Sequence, residues 1–150
     1  MNPYDSQAVS AVWQRVRQGR EVDALEQALS EAIALEHRAQ NAYLAMARCG
    51  HGALLRSLAA QEACHARKLS ALYYLLFECP PCPQRQCPPK IDDFCEAVRQ
   101  AYQGELMARQ RYGRLAKSYP EHRELFCCIA KQEKQHACRL QQLTEHLLRR

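Results

Sequence analysis

Apolar residues recur at alternating steps of three and four along four long segments of the chain, which is the pattern of amphipathic helices that pack together. Each stripe is apolar except at its centre, where a glutamate falls on the inward face. The four stripes are Leu25, Leu29, Ala32, Glu36, Ala39, Tyr43, Ala47; Leu55, Leu58, Glu62, His65, Leu69, Leu72, Leu76; Phe94, Val98, Ala101, Glu105, Ala108, Tyr112, Leu115; and Phe126, Ile129, Glu133, His136, Leu140, Leu143, Leu147.

Glycines and prolines divide the chain into the corresponding elements. The predicted helices are a short leading one over residues 7–19, ending at Gly19, and long ones over 23–49, 52–77, 92–118 and 121–150. Asp23 is the expected cap of the first long helix. Residues 79–90 hold five of the seven prolines and are not helical. The pattern predicts two helical hairpins that form a four-helix bundle.

The glutamates, histidines and tyrosines on these stripes form one set of residues that occurs twice. The first set is Glu36, Tyr43, Glu62 and His65, and the second is Glu105, Tyr112, Glu133 and His136. The successive spacings are 7, 19 and 3 in the first set and 7, 21 and 3 in the second. Residues equally far from a hairpin turn lie at the same height, so the glutamates of each hairpin are level. Four carboxylates and two imidazoles therefore converge on one apolar layer.

That layer predicts a metal site. Burying unpaired carboxylates costs several kcal/mol per ion, which is comparable to the whole stability of a typical domain. No lysine or arginine occupies the stripes, so we expect cations from outside the chain, and two divalent ions balance four carboxylates. One glutamate from each of two helices plus Glu-x-x-His from the other two is a di-iron or di-manganese arrangement, and mixed oxygen and nitrogen ligands suit either metal. The predicted ligands are Glu36, Glu62, His65, Glu105, Glu133 and His136.

The segments E36HRAQNAY43 and E105LMARQRY112, each followed by a Glu-x-x-His, resemble the ferritin-like superfamily and within it the rubrerythrin and bacterioferritin branch. The resemblance covers about residues 23–148. It implies an all-α ferritin-like bundle over 23–150, preceded by a leading helix and linker over 1–22. It also implies two iron ions, with manganese as the alternative, and a long crossover between the hairpins. In extended proline-rich form, residues 77–90 reach roughly 43 Å, about the length that this crossover needs.

By the same resemblance, Glu36 and Glu105 are terminal ligands, Glu62 and Glu133 bridge the metals, and each histidine supplies one nitrogen. The chain departs from the family in three ways. The turn after Glu105 lacks the additional glutamate usual in rubrerythrins. Residues 1–150 contain no paired CxxC motifs of the kind that mark a rubredoxin domain, so we expect electrons from a separate donor such as rubredoxin. Ala63 stands where bacterioferritin carries its haem-binding methionine, so we expect no haem.

The resemblance implies an oxidoreductase of the peroxidase or ferroxidase type that reduces hydrogen peroxide or dioxygen. Two alternatives stay open, namely a non-catalytic iron or manganese carrier or sensor, and a di-iron hydroxylase with an organic substrate. Tyr43 and Tyr112 are either core aromatics or hydrogen-bond partners of ligand carboxylates.

Composition and charge bear on the possible partners of the protein and on its cell compartment. The net charge is +5, but the basic residues are spread over the helices, so we expect no nucleic-acid partner. The longest apolar runs are too short to cross a membrane, and the first residues do not resemble a signal peptide, which favours the cytoplasm. The leading helix, with Trp13, packs either across the bundle or against a second copy, and we expect a homodimer.

Nine cysteines fit no small secreted disulfide scaffold, which favours reduced thiols. Cys79 and Cys82 form a CxxC with Cys87 nearby, either a redox or metal site or incidental thiols in a tether. Five others are expected to pack between helices. They are Cys49, Cys64, Cys127, Cys128 and Cys138.

Overall fold

The computed structural model describes residues 6–82 and 84–149, and every regular element in them is helical. Helix α1 spans Ser6–Met46, α2 Gly52–Phe77, α3 Phe94–Ser118 and α4 Arg123–Leu148, with a 3-10 turn at Pro120–His122 before α4. Helix α1 packs along α2 and α3 along α4, and α1 also contacts α3. The predicted all-α bundle of two hairpins is confirmed. Within residues 6–82 and 84–149, no helix is long and apolar enough to span a membrane.

The polar layer lies between two apolar clusters. The cluster on one side of it consists of Leu25, Leu29, Ala32, Ile33, Leu69, Tyr73, Tyr112, Ala116, Phe126 and Ile129. The cluster on the other side consists of Tyr43, Met46, Leu55, Leu58, Ala59, Val98, Leu140 and Leu143. Because Leu25 shares a cluster with Ala116 and Met46 shares one with Val98, α1 and α3 run antiparallel. The site is therefore closed at both ends by apolar packing.

The crossover between α2 and α3 runs alongside α1. Its Gln86 side chain donates a hydrogen bond of 2.7 Å to the carbonyl oxygen of Ala34, two residues before Glu36 on α1. Helix α2 ends at Glu78, which adopts a left-handed conformation with φ of 57° and donates its backbone N–H to Tyr74. Asp93 begins α3 by accepting the backbone N–H of Glu96.

The expected break between a leading helix and the first bundle helix is wrong, because α1 is continuous from Ser6 to Met46. Gly19 weakens a helix by about 1 kcal/mol relative to alanine, which does not end it when good helix formers follow. Leu25 is the first buried residue of α1 in the described part of the chain. Trp13 is 57% exposed, so it does not pack across its own bundle.

Two expectations about side chains are also wrong. Leu76 is exposed, and Tyr73 takes the inward position, because a straight helix drifts relative to a strict alternation of three and four. Among the five helix cysteines expected to pack between helices, only Cys64 is partly buried, and the other four are exposed. None of the nine cysteines is in a disulfide.

Candidate metal centre

All six predicted ligand residues meet at the centre of the bundle, and all are buried. Their ligand atoms form two groups, in each of which the atoms lie within 4.8 Å of one another. One group is Glu36, Glu62, His65 and Glu133, and the other is Glu62, Glu105, Glu133 and His136. The groups share the two glutamates of the Glu-x-x-His pairs, so the geometry is that of two adjacent cation positions with two common carboxylates.

The two imidazoles present their Nδ1 atoms to these positions. His65 Nδ1 lies 3.1 Å from Glu62 Oε2, 3.1 Å from Glu133 Oε1 and 3.4 Å from Glu36 Oε2. His136 Nδ1 lies 2.8 Å from Glu62 Oε1, 3.1 Å from Glu133 Oε2 and 3.5 Å from Glu105 Oε2. The two rings are stacked, with centroids 5.6 Å apart. Each imidazole thus faces three carboxylates, one of them on its own helix.

The outer nitrogen of each imidazole is held by a glutamine of the opposite hairpin. His65 Nε2 donates to Gln132 Oε1 at 2.9 Å, and His136 Nε2 donates to Gln61 Oε1 at 2.8 Å. With the proton on Nε2, the Nδ1 lone pair of a neutral ring is free to bind a metal. Sequence reasoning missed both glutamines. The available signal was that each directly precedes the glutamate of a Glu-x-x-His pair.

The two buried tyrosines form crossed hydrogen bonds between the halves. The hydroxyl of Tyr43 donates to Glu105, and the hydroxyl of Tyr112 donates to Glu36. Each tyrosine lies two helical turns after the glutamate of its own half but contacts the glutamate of the other. The antiparallel arrangement of α1 and α3 brings each hydroxyl to the opposite carboxylate. These bonds fix the position of the two outer carboxylates.

Without metal, protons rather than cations neutralise the site. Burial raises the pKa of Glu36 to about 8 and that of Glu105 to about 9. Burial also opposes ionisation of Glu62 and Glu133, but the two adjoining imidazoles outweigh it, lowering the pKa of Glu133 and taking that of Glu62 to about 2. At pH 7 the cluster thus holds two carboxylates and two neutral carboxylic acids.

The imidazoles supply the balancing charge. Burial alone would lower their pKa values, but the surrounding carboxylates outweigh it and raise the pKa of His65 to about 12 and that of His136 to about 11. Two imidazolium ions then face two carboxylates. The sequence-based charge argument counted both histidines as neutral, whereas in the metal-free site the surrounding carboxylates favour the imidazolium form. The prediction of a metal site has to rest on geometry instead.

The geometry fits a pair of cations because four buried atoms of the candidate ligands have no hydrogen-bond partner within the chain. They are Glu62 Oε1, both carboxylate oxygens of Glu133, and His136 Nδ1. Some of them are close together, such as His136 Nδ1 and Glu62 Oε1 at 2.8 Å, but their bonds are not aligned for a hydrogen bond. A buried polar atom without a partner costs about 1–3 kcal/mol. Once the imidazoles have lost their extra protons, a metal ion among these atoms would satisfy them together.

A groove between α1 and α3 leads from the surface to the site. Its volume is about 570 Å³, and four of the six predicted ligands line its inner wall. These four are Glu36, Glu62, Glu105 and Glu133. The two histidines lie behind them, away from the groove. The groove thus gives small molecules a route to the carboxylate side of the site.

Comparison with known proteins agrees with the family resemblance of the motifs. Residues 96–148 match the family model described as Rubrerythrin, and this segment contains Glu105, Tyr112, Glu133 and His136. The match confirms the resemblance for the second hairpin. The same hairpin supplies half of the buried cluster of carboxylates and imidazoles that could hold metal ions.

Among solved structures, the chain is similar to the "Hypothetical Protein Pfu-1136390-001" from Pyrococcus furiosus, with a TM-score of 0.73 and 23% sequence identity. The similarity covers 83% of this chain and 90% of that one. This likeness confirms the fold. A search of curated proteins gives no match.

Proposed function

We propose that the protein is a rubrerythrin-like non-haem di-iron oxidoreductase that reduces hydrogen peroxide or dioxygen. The observation that carries the proposal is the pair of ligand groups that share Glu62 and Glu133 at the centre of the bundle. A single cation would need only one group. Two groups with common carboxylates suit a pair of metals that act together on one small oxidant.

The iron pair, when bound, would supply the electrons for cleavage of an O–O bond. The remaining functions fall to the chain itself. His65 and His136 would hold the metals through Nδ1, while the glutamines opposite them hold their Nε2 protons. Tyr43 and Tyr112 orient the outer carboxylates. The apolar clusters close both ends of the site, and the groove admits the oxidant from the side.

The proposal includes a separate electron donor such as rubredoxin. Two electrons and two protons are needed to convert hydrogen peroxide to two molecules of water, and a reduced iron pair can supply those electrons once. A donor must then restore it. The proposed setting is a reducing cytoplasm, which the nine free cysteines support.

The test is to load the protein anaerobically with ferrous iron, add hydrogen peroxide and follow the near-ultraviolet absorption of the oxidised iron pair. We expect rapid oxidation of two irons by one peroxide and recovery after addition of a reductant. The matched control is Glu133→Ala, which removes one of the two shared carboxylates. If the wild type binds two irons but does not react with peroxide or dioxygen, a carrier or sensor role replaces this proposal.

The groove favours a second candidate function, a di-iron hydroxylase that acts on an organic substrate. Its volume of about 570 Å³ lies within the range of pockets that bind drug-sized molecules. In that case the reduced protein reacts with dioxygen slowly until the organic substrate is present. Fast oxidation without any organic molecule rules this candidate out.

A further inference from the structure

We propose that the part of α1 that projects from the bundle pairs antiparallel with the same segment of a second copy of the chain. Leu25 is the first buried residue of α1 in the described part of the chain, and every residue from 12 to 24 is exposed. At 1.5 Å per helical residue, this stretch is about 20 Å long. The inference rests on the projecting stretch alone and not on the metals.

The projecting helix is poorly suited to standing alone in water. Isolated helices of about 12–15 residues are marginal even when they are rich in alanine. This stretch carries three valines and a glycine, which are weaker helix formers than alanine. The valines are largely exposed, at 53% for Val12, 38% for Val16 and 51% for Val22. Packing against a partner helix is the usual source of stability for such a segment.

The valines share one side of the helix with Gly19 and with two charged residues. At about 100° per residue, the side chains of residues 12–24 that lie within about 60° of the direction of Gly19 are those of Val12, Arg15, Val16, Val22 and Asp23. We call Gly19 and these five residues the pairing face. Leu25 and Leu29, which pack in the bundle, lie about 100° away around the helix. The pairing face therefore does not point into its own bundle.

The pairing face is complementary to itself when two copies run antiparallel. With Gly19 opposite Gly19 of the second copy, Arg15 lies opposite Asp23 and Val16 lies opposite Val22. Each contact occurs twice, as a twofold dimer requires. In a parallel pair Arg15 would face Arg15 and Asp23 would face Asp23, and such like-charge contacts are unfavourable. The order of charges along the helix thus selects the antiparallel arrangement.

The two charged residues of the pairing face are free to make this contact. Neither Arg15 nor Asp23 forms an ion pair with any residue in 6–82 or 84–149. They cannot pair with each other within one chain, because eight residues of helix separate them by about 12 Å. Charge pairs at an interface mainly fix register and orientation. Burial of the valines would supply the affinity.

Gly19 allows the two helices to approach closely at the centre of the pair. A Cβ added to Gly19 meets nothing within 4 Å, so the bundle of its own chain does not require a glycine there. Small residues at a helix crossing let two backbones come together. Leu25 lies six residues from Gly19, so the cores of the two copies begin about 18 Å apart along the pair. The bundles therefore lie at opposite ends of the paired segment.

The second copy also reaches the end of α2. Residues 12 and 26 are equally far from Gly19, so Val12 of the second copy lies at the level of Glu26. Glu26 accepts a hydrogen bond of 2.7 Å from the hydroxyl of Tyr73 on α2. The residue after it, Tyr74, is 57% exposed. The end of α2 thus offers apolar surface to the first turns of the partner helix.

The experiment is sedimentation equilibrium of the full chain over a range of concentrations. We expect a reversible dimer for the wild type. Arg15→Glu and Asp23→Arg each turn two attractive contacts into two repulsive ones, so the dissociation constant should rise at least tenfold in either variant. Mixing the two variants restores both attractive contacts, so the mixture should dimerise within about threefold of the wild-type affinity. Contacts within one helix, or a parallel pair, would not give this rescue.

A second series of variants tests the position of the contact. Gly19→Leu should raise the dissociation constant at least tenfold, because its side chain separates the helices. Gly113→Leu is the matched control, since an added Cβ there also meets nothing within 4 Å, and it should stay within about twofold of wild type. Trp13→Ala removes a large exposed side chain that lies about 120° from Gly19, outside the pairing face, and should have a similarly small effect.

Circular dichroism and binding of two manganese ions verify that each variant is folded. A wild type that stays monomeric at millimolar concentration would overturn the proposal, and if that monomer sediments with vesicles of anionic lipid, the projecting helix belongs on a membrane surface instead. Failure of the mixed charge variants to associate would also overturn it, as would a dimer that Trp13→Ala dissociates and Gly19→Leu does not. None of these results depends on peroxide chemistry, so failure here is distinguishable from failure of the proposed function.

Discussion

Loading two divalent ions into the metal-free protein at pH 7 should release about four protons. Four of the six ligand residues hold a proton that a metal must displace. Glu36 and Glu105 are neutral acids because burial raises their pKa values to about 8 and about 9. His65 and His136 are imidazolium ions because the surrounding carboxylates raise their pKa values to about 12 and about 11. Metal ligands bind in their deprotonated form.

The charge of the site is zero before and after this exchange. Before it, two imidazolium ions balance two carboxylates, and after it, two divalent ions balance four carboxylates. Releasing four protons makes the overall binding constant for two metals rise by about 10⁴ per pH unit near pH 7, since each proton contributes a factor of ten. As the pH rises through 8 and then 9, the two carboxylic acids ionise first. The number of protons released should then fall towards two.

The assay is calorimetric titration with manganese(II) under anaerobic conditions in buffers of different ionisation enthalpy. The slope of the observed heat against that enthalpy gives the number of protons released. Measurements at pH 7 and pH 9 cover the predicted change. Release of one proton or none at pH 7, with two metals bound, would refute the reasoning, because it would mean that the carboxylates are ionised and the imidazoles neutral before the metal arrives.

Four further predictions follow from the site. Glu133→Ala should abolish binding of two metals, as measured by elemental analysis, because both groups lose a ligand, whereas Cys82→Ser at an exposed position should keep two. Gln61→Leu removes the acceptor of one imidazole N–H, so manganese affinity should fall about 10-fold to 100-fold, and an unchanged affinity would show that the hydrogen bond does not position the ring. Tyr43→Phe leaves a buried carboxyl without its donor, so urea denaturation of the metal-free protein should show a loss of about 1–3 kcal/mol, with no loss for Tyr74→Phe at a 57% exposed position. Finally, folding raises the pKa values of two glutamates and two histidines at the site. These groups stabilise the metal-free fold fully when the pH is below their unfolded pKa values of 4.5 and 6.5. The stabilisation is lost as the pH rises through their folded pKa values of about 8 to 12. The melting temperature of metal-free protein should therefore fall between pH 5.5 and pH 8.5 while the increment from bound metal grows, and a pH-independent increment would contradict the assigned protonation states.

The meeting of the six candidate ligand residues in one buried layer could be predicted because their positions follow from local geometry. A glutamate and a histidine three residues apart share one helix face, and equal distances from Gly50 or Tyr119 set equal heights in a hairpin. The repeat of the whole set in both halves then identified the layer. The end of the first helix could not be predicted in the same way, because Gly19 is a weak local signal that the rest of α1 overrides.

The sequence by itself determined the type of fold, the depth of the polar layer and the identity of its six acid and imidazole groups, because helical periodicity and chain reversal are local properties. Only the tertiary structure decided which groups touch across the two hairpins. The bonds from Tyr43 to Glu105 and from His136 to Gln61 depend on how the hairpins face each other, and no spacing along the chain encodes that. The tertiary structure likewise decides the protonation state of the site and the shape of the groove beside it. Both depend on how the helices pack together.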